Sequence, residues 1–541
     1  MNIKEILSSD KLQEWVLVLF SVFWVIVVIL DYLNKQVYYI PSITHFKYGI
    51  LFSGLIVLGV ILSASYTRVS IFSKIPPLKV NGLVITSFMV LFVWSIISAY
   101  NVYWKAPLGM SNYLHLTQKV FTTLGGAYAL TLAAFSIGNL FRSKFLPAED
   151  GNNLTFALLD IVLGFLFYSA SLMLLGAFGL LDQYVVLGLL LLLILLNYKA
   201  SFSFLLKTLW TTIKRPKDLN FWGAFVAFMV LVYIAMNYLY TQAPFPLGFD
   251  ARNYYVNIPK LISETGYLIE GFQPYAWSLI MATGFVAFGS PEITMFISVL
   301  GGLLSLFAIY DLAKNHIGIG SNSAFLVVLL YLVTPTVTNH FIIEFKIDLS
   351  LVFIQLVTLS LVLHWIKSKK GTRTIEFFND KSQDTKFLVI VGLLFGFALS
   401  VKVLSVFLII AVFTAFWWII EDIYGVIGTA LSSIGFIILL GLDELSGLSI
   451  YHLSSTYVGI ISLVIGLGVL IYSFLRSRTL FLQVIKSLTI IGFVTAITFS
   501  PWVYKNYTYA KTNSMIEIII GDNPRPTLDV RDIIRNYKKL K

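Results

Sequence analysis

A carboxylate, two cations and two phenols crowd into residues 248–260, Gly-Phe-Asp-Ala-Arg-Asn-Tyr-Tyr-Val-Asn-Ile-Pro-Lys. These candidate residues are Asp250, Arg252, Tyr254, Tyr255 and Lys260. A carboxylate can take a proton from an attacking hydroxyl group, and nearby cations can hold a phosphate. The structural alternative is that Asp250 caps the following helix and that the tyrosine pair belongs to an aromatic belt at a membrane surface.

A second cluster, Glu344-Phe-Lys346-Ile-Asp348, follows Pro335 and His340. In a helix Glu344 and Asp348 would share one face, and in an extended chain all three charged residues would lie on one side. Either geometry brings two carboxylates together. The alternative is a charge cluster that ends two helices at a membrane surface, with His340 as a hydrogen-bonded structural histidine.

The third candidate is Lys402, which interrupts the apolar stretch 387–420. This stretch is too long for one membrane helix, so we expect a helical hairpin with its turn at Lys402. A cation held there could pair with a lipid phosphate, or it could simply extend its ammonium group to the membrane surface. Asp160 lies early in another apolar stretch, where we expect partial desolvation and a structural role.

The composition requires a membrane. Of 541 residues, 58% are hydrophobic and 12% are charged, whereas soluble domains carry about 25% charged residues. The net charge of +11 comes from clusters between apolar segments, which indicates membrane topology and lipid headgroups rather than nucleic acid. The absence of cysteine excludes disulfides, thiolate metal sites and cysteine nucleophiles. We find no P-loop, His-Glu-x-x-His or Gly-x-Ser-x-Gly motif, which argues against chemistry driven by a cytosolic nucleotide.

The sequence predicts an all-α integral membrane protein, a polytopic helical bundle of about 15 transmembrane helices. The predicted spans are 15–33, 48–66, 83–103, 117–141, 155–181, 183–198, 220–241, 292–312, 323–343, 349–366, 387–401, 403–420, 425–441, 453–474 and 484–500. The apolar stretch 275–289 is predicted to be a short helix at the membrane surface. Counting it as a span would place the basic cluster 367–386 on the outer side, against the positive-inside rule.

This topology predicts a multi-pass protein of the plasma membrane with a cytoplasmic N-terminus and an extracytoplasmic C-terminus. Residues 1–219 form an N-terminal block of six spans, and 220–506 form a core with an extracytoplasmic loop at 242–291. Residues 507–541 form a short extracytoplasmic tail. All three candidate sites then lie on the outer face.

The core resembles the GT-C superfamily of membrane glycosyltransferases, in particular the protein mannosyltransferase and lipid A aminoarabinose transferase branch (glycosyltransferase family 39). The likeness runs from about residue 221 to 506. Its elements occur in the family's order: Gly-Phe-Asp250-Ala-Arg-Asn-Tyr-Tyr, then Pro335 with Asp348 beyond it, then Gly392 to Lys402, and last Ser-Pro501-Trp-Val-Tyr-Lys-Asn.

The resemblance implies inverting transfer of a sugar from a polyprenyl-phosphate donor to a glycan, lipid or protein acceptor. Asp250 would be the general base, and Arg252, Lys346 and Lys402 would lie near the donor phosphate. Binding of substrate would involve five further residues, Tyr254, Tyr255, Lys260, Glu344 and Asp348. Some relatives use a divalent metal ion, for which Glu344 and Asp348 would be the ligands; no cofactor is otherwise implied.

Two departures limit this likeness. Mannosyltransferases of the branch often carry an acidic pair where this chain has Asp250-Ala251, and the six added N-terminal spans are atypical. A polytopic transporter or flippase of a lipid or glycoconjugate is the main alternative. Transporters generally place polar sites at mid-membrane on broken helices, often in two related halves, whereas these candidate charges gather at one surface. A polymerase or ligase of surface polysaccharide and a scaffold without activity are further alternatives.

Overall fold

A computed structural model describes residues 46–67, 80–91, 110–146, 154–238, 248, 250–269, 273–342, 344–368, 383–439 and 456–509. All regular secondary structure in these ranges is helical. The predicted first span, 15–33, lies outside the described residues, as do most of the basic cluster 367–386 and the tail after residue 509.

The first eight α-helices are α1 (Phe46–Thr67), α2 (Gly82–Leu91), α3 (Met110–Phe145), α4 (Leu154–Ala177), α5 (Gln183–Leu196), α6 (Tyr198–Leu209), α7 (Phe221–Tyr238) and α8 (Asn257–Thr265). The next five are α9 (Ala276–Val286), α10 (Pro291–Asp311), α11 (Ser321–Leu332), α12 (Pro335–Ile342) and α13 (Asp348–Ser368). The last five are α14 (Gln383–Val401), α15 (Val406–Ile419), α16 (Ile423–Leu439), α17 (Thr456–Arg476) and α18 (Arg478–Tyr509). Two π-helical turns, Ala251–Tyr255 and Leu312–Ile317, precede α8 and follow α10.

Seven helices in the described part of the chain are long and apolar enough to cross a membrane, or eight if the bent pair α5 and α6 is one span. The seven are Thr117–Phe145, Leu154–Ala177, Pro291–Ile317, Asp348–Lys367, Asp384–Val401, Tyr457–Arg476 and Arg478–Thr508. Shorter apolar helices occupy most of the other predicted spans. The chain is thus a helical protein with several candidate membrane spans, and the figure of about 15 stays a prediction.

The breaks between helices follow local sequence. Pro335 starts α12 directly after α11 ends, because proline fits the first helical turn but cannot continue a helix. The predicted span 323–343 is therefore two helices. The chain also breaks at Lys402, between α14 and a 3₁₀ turn at Val403–Ser405, which confirms the break predicted there. Helix α9 has 11 residues, too short to cross a bilayer, as expected for 275–289.

The chain divides into two compact units made of interleaved segments, a different division from the predicted boundary at 219. Unit 1 comprises Met1–Ser136, Leu187–Pro259 and Thr283–Leu356. Its core includes a cluster from α7, α10 and α11, formed by Val230, Leu306, Ile309, Val328 and Leu332. Helix α10 begins at an N-cap, where Ser290 Oγ accepts a hydrogen bond from the Ile293 amide at 3.2 Å.

Unit 2 comprises Ile137–Val186, Lys260–Ala282 and Val357–Lys541. Helices α14 and α18 pack closely because glycines of α14 face α18: a Cβ atom at Gly392 would lie 2.7 Å from Val494 Cβ. Helices α16 and α17 form a second close pair, in which a Cβ atom at Gly435 would lie 2.6 Å from the Gly459 carbonyl oxygen. Small residues at such contacts let membrane helices approach.

Candidate functional site

The segment that carries Asp250 is wound as a π-helical turn rather than an α-helix. Its closing hydrogen bond runs from the Val256 amide to the Ala251 carbonyl at 2.9 Å. Single π-helical turns are often found at functional sites. Asp250 occupies the N-cap position, but its side chain makes no capping hydrogen bond. The structural alternative for Asp250, a helix cap, therefore has no support in the geometry.

The second predicted cluster forms a tight turn between α12 and α13. The Glu344 amide donates to the Asn339 carbonyl at 3.1 Å, and the Lys346 amide donates to the His340 carbonyl at 3.3 Å. Between them Phe345 has a φ of +44° and only 1% of its surface exposed. A left-handed conformation costs a phenylalanine about 1–3 kcal/mol, and such strain persists where the surroundings hold it. The turn therefore fixes Glu344 and Lys346 on either side of a buried ring.

This turn binds the Asp250 segment through two contacts in unit 1. Lys346 Nζ lies 2.7 Å from Asp250 Oδ2 in an ion pair, and the Asp250 amide donates to Glu344 Oε2 at 3.1 Å. The side chains of Lys346 and Asp250 are 20% and 39% exposed. Solvent can therefore reach the Asp250 carboxylate, although one of its oxygens is held by the ammonium group.

Tyr255 belongs to the same group of residues. Burial raises the pKa of its phenol well above the ordinary value, and the negative charges of Asp348, Asp250 and Glu344 raise the pKa further. The structure thus brings three predicted carboxylates into electrostatic contact with one phenol. At any ordinary pH this phenol keeps its proton, so it can donate a hydrogen bond but cannot serve as a base.

The other predicted residues of unit 1 belong to the same two chain segments. Arg252 is exposed and Tyr254 is half-buried, both within the π-helical turn. Asp348 is half-buried at the first residue of α13. No group of three histidine, cysteine, aspartate or glutamate side chains with a metal-binding arrangement occurs among the described residues. Within this part of the chain Glu344 and Asp348 thus have no third such ligand, and the metal site predicted for them stays a prediction.

Two predicted residues belong to unit 2. Lys260 is exposed on α8 and pairs with Glu264 one turn further along at 3.8 Å, a surface pair of small energetic value. Lys402 is half-buried in the break after α14, with its amide bonded to the Ala398 carbonyl at 2.9 Å. Their predicted contacts with substrate and phosphate stay predictions.

Unit 2 also contains a buried ion pair, of which the sequence analysis identified only the acidic residue. Arg142 Nε of α3 lies 2.5 Å from Asp160 Oδ1 of α4, and Asn139 Nδ2 donates to Asp160 Oδ2 at 2.9 Å. Asp160 is 2% exposed, so the expectation of partial desolvation was wrong, whereas a structural role agrees with its partners. A buried carboxylate signals a need for a cation, but the sequence does not show which basic residue supplies it.

A second missed feature is a lysine enclosed by aromatic rings in unit 2. Lys505 Nζ lies 4.5 Å from the Tyr275 ring centroid and 5.6 Å from that of Trp502. The two rings meet edge to face at 4.9 Å, and Lys505 is 3% exposed. Such cation–π contacts offset part of the cost of burying a charge. The motif Pro-Trp-Val-Tyr-Lys was visible in the sequence, but its contact with Tyr275 was not.

Comparison with known proteins found no match to this chain among protein-family models, curated proteins or solved structures.

Proposed function

We propose that this chain is an integral membrane glycosyltransferase that moves a sugar from a polyprenyl-phosphate donor to an acceptor on the extracytoplasmic face. The proposal includes the predicted topology of about 15 spans and a core similar to that of the GT-C superfamily. The observation that carries it is the ion pair between Asp250 and Lys346, with the Asp250 segment held by Glu344 as well.

The geometry supports Asp250 as the general base. Lys346 engages Oδ2, and no residue in the described part of the chain bonds to Oδ1. The ion pair therefore orients the carboxylate and leaves one oxygen to accept a proton. Because the side chain is 39% exposed, an acceptor hydroxyl group can approach it.

The proposed step is a single inverting displacement. The acceptor oxygen forms a bond to the anomeric carbon of the sugar while the bond from that carbon to the phosphate oxygen breaks. The acceptor proton passes to Asp250 Oδ1, and the polyprenyl phosphate leaves with the electron pair of the broken bond. Arg252, exposed and two residues after Asp250 in the chain, is the cation that we propose stabilises the leaving phosphate.

The test is transfer of radiolabelled sugar from a panel of polyprenyl-phosphate donors by the purified protein in lipid. Asp250→Asn keeps the size of the side chain and removes the base, so we expect transfer to disappear while folding persists. Glu421→Gln, which removes an exposed carboxylate of unit 2, is the control and should leave transfer unchanged. No transfer and no donor hydrolysis with any donor and acceptor would overturn the proposal.

A transporter or flippase of a lipid or glycoconjugate is the second candidate. It is favoured by the pair Arg142–Asp160, because ionisable residues buried in candidate spans often mark a pathway for ions or substrate. Lipid translocation in proteoliposomes that is lost in Asp160→Asn and kept in Asp250→Asn would favour this function over transfer.

A further inference from the structure

Helix α6 turns away from α5 at a sharp angle. The two helices are bent by 90° at the break between Leu196 and Tyr198. If α5 runs across the bilayer, α6 must run along it. The sequence predicted a span ending at residue 198 and a loop after it, so this helix was not expected.

One face of α6 is fixed to the protein within unit 1. Phe204 stacks on Phe135 of α3 with ring centroids 4.1 Å apart, and the Thr208 and Tyr128 hydroxyl groups are hydrogen-bonded. Ser201 is buried and donates to the Ile194 carbonyl at 3.0 Å. These contacts leave the opposite face of α6 without a covering element among the described residues.

That opposite face carries large apolar side chains at every fourth residue. Tyr198, Phe202, Leu206 and Trp210 are 59%, 60%, 40% and 55% exposed. A spacing of four residues keeps them in one stripe along the helix. Aromatic and aliphatic groups in this pattern are typical of helices that lie in the membrane interface.

Exposed cations accompany the stripe and continue beyond it. They are Lys199, Lys207, Lys214, Arg215 and Lys217. The one acidic residue of this region, Asp218, is engaged elsewhere: it accepts hydrogen bonds from the Ser321 amide at 2.5 Å and lies 3.5 Å from Lys314. Arg215 also donates to the Tyr66 carbonyl at 3.3 Å, a contact that leaves its charge in place. Residues 198–217 contain no acidic residue, so the segment carries a net positive charge.

We propose that residues 198–217, the surface segment, lie in the plane of the membrane and bind anionic lipid headgroups. The stripe enters the boundary between headgroups and acyl chains, and the cations contact the phosphates. Charge complementarity and the direct continuation from α5 identify the occupant as lipid. The positive-inside rule assigns the segment to the cytoplasmic leaflet. This proposal is independent of glycosyl transfer.

Depth measurements test the placement, and the absence of native cysteine makes single labelling sites simple. A nitroxide at Phe202→Cys reports on the stripe, and one at Lys207→Cys reports on the neighbouring polar side. In lipid nanodiscs we expect Phe202→Cys to favour collision with oxygen and Lys207→Cys to favour a water-soluble nickel complex. The proposal would be overturned if both labels collided equally with the nickel complex, or if both collided only with oxygen. It would also be overturned if neither label were accessible to either reagent, and that outcome would indicate a protein partner.

Lipid retention tests the charge. The variant Lys214→Gln/Arg215→Gln/Lys217→Gln is compared with the charge-conserving Lys214→Arg/Lys217→Arg after reconstitution in mixed phosphatidylglycerol and phosphatidylcholine. Each cation near an anionic surface contributes about fivefold in binding, so retained phosphatidylglycerol should fall strongly in the first variant only. Equal retention by both variants, with unchanged thermal stability, would contradict the proposal.

Discussion

Lys346 and Asp250 form an ion pair with 2.7 Å between Nζ and Oδ2, joining the turn before α13 to the π-helical turn before α8. The family resemblance assigned these residues to different tasks, phosphate binding and proton transfer. Their direct contact instead makes Lys346 the group that orients the Asp250 carboxylate. Both residues then act as one unit in the proposed reaction.

A double-mutant cycle should show that Lys346 and Asp250 act together. Asp250→Asn is expected to abolish sugar transfer, and Lys346→Met to reduce it strongly, because the carboxylate loses its orientation. The double variant should be no worse than Asp250→Asn, since residues that act together are not additive. In thermal unfolding the two substitutions should couple by about 1 kcal/mol, a value limited by solvent around Asp250. If the two substitutions had fully additive effects on transfer and on stability, Lys346 and Asp250 would not act together.

The phenol of Tyr255 should resist ionisation. Burial, together with the charges of Asp348, Asp250 and Glu344, raises its pKa well above 10.0. Below pH 10 the phenol is neutral in both the folded and the unfolded protein. Above pH 10 only the unfolded protein ionises it, so this residue makes stability fall as pH rises, and Tyr255→Phe should lessen that fall.

The measurement is absorbance at 295 nm, with the titration of Tyr255→Phe subtracted from that of the wild type. We expect this difference in absorbance to show no ionisation step from pH 9 to about pH 11. Tyr267→Phe, which removes an exposed tyrosine, verifies that the loss of one phenol can be detected. A clear step near pH 10 attributable to Tyr255 would contradict the electrostatics described for the site.

Helices could be predicted from this sequence more reliably than contacts. The break at Lys402 was predicted because a lone cation interrupts an apolar run. The break at Pro335 was missed, since the sequence was read as a single span over 323–343. The pairing of Lys346 with Asp250 depends on how two distant segments are placed, and nothing in either segment specifies the other. The bend before α6 was missed because the apolar residues of Tyr198 to Trp210 were too interspersed with polar ones to predict a span.

The buried ion pair of unit 2 predicts a specific pattern of stability. Arg142→Leu leaves the Asp160 carboxylate buried without its cation and should lower the free energy of unfolding by about 3–5 kcal/mol. Arg142→Leu/Asp160→Leu removes both charges and should recover much of the loss. Thermal unfolding in one detergent compares the variants. If the double variant lost as much free energy of unfolding as the two single variants together, this account would be contradicted.

The contact between α16 and α17 should depend on one glycine of α17 and not on another two residues away. A Cβ atom at Gly466 would lie 2.9 Å from the Gly428 carbonyl oxygen of α16, whereas one at Gly468 would meet nothing within 4 Å. Backbone atoms cannot move aside as a flexible side chain can, so Gly466→Ala should separate the helices and lower the melting temperature.

Gly468→Ala is the matched control on the same helix, and it should be neutral or stabilising by up to about 1 kcal/mol because alanine favours the helix. Both variants are measured by thermal unfolding in the same lipid or detergent. Equal effects at the two positions would show that helix propensity, rather than close backbone approach, explains these glycines. A loss confined to Gly466→Ala would show that small side chains are needed where α17 crosses α16, as at other close contacts between membrane helices.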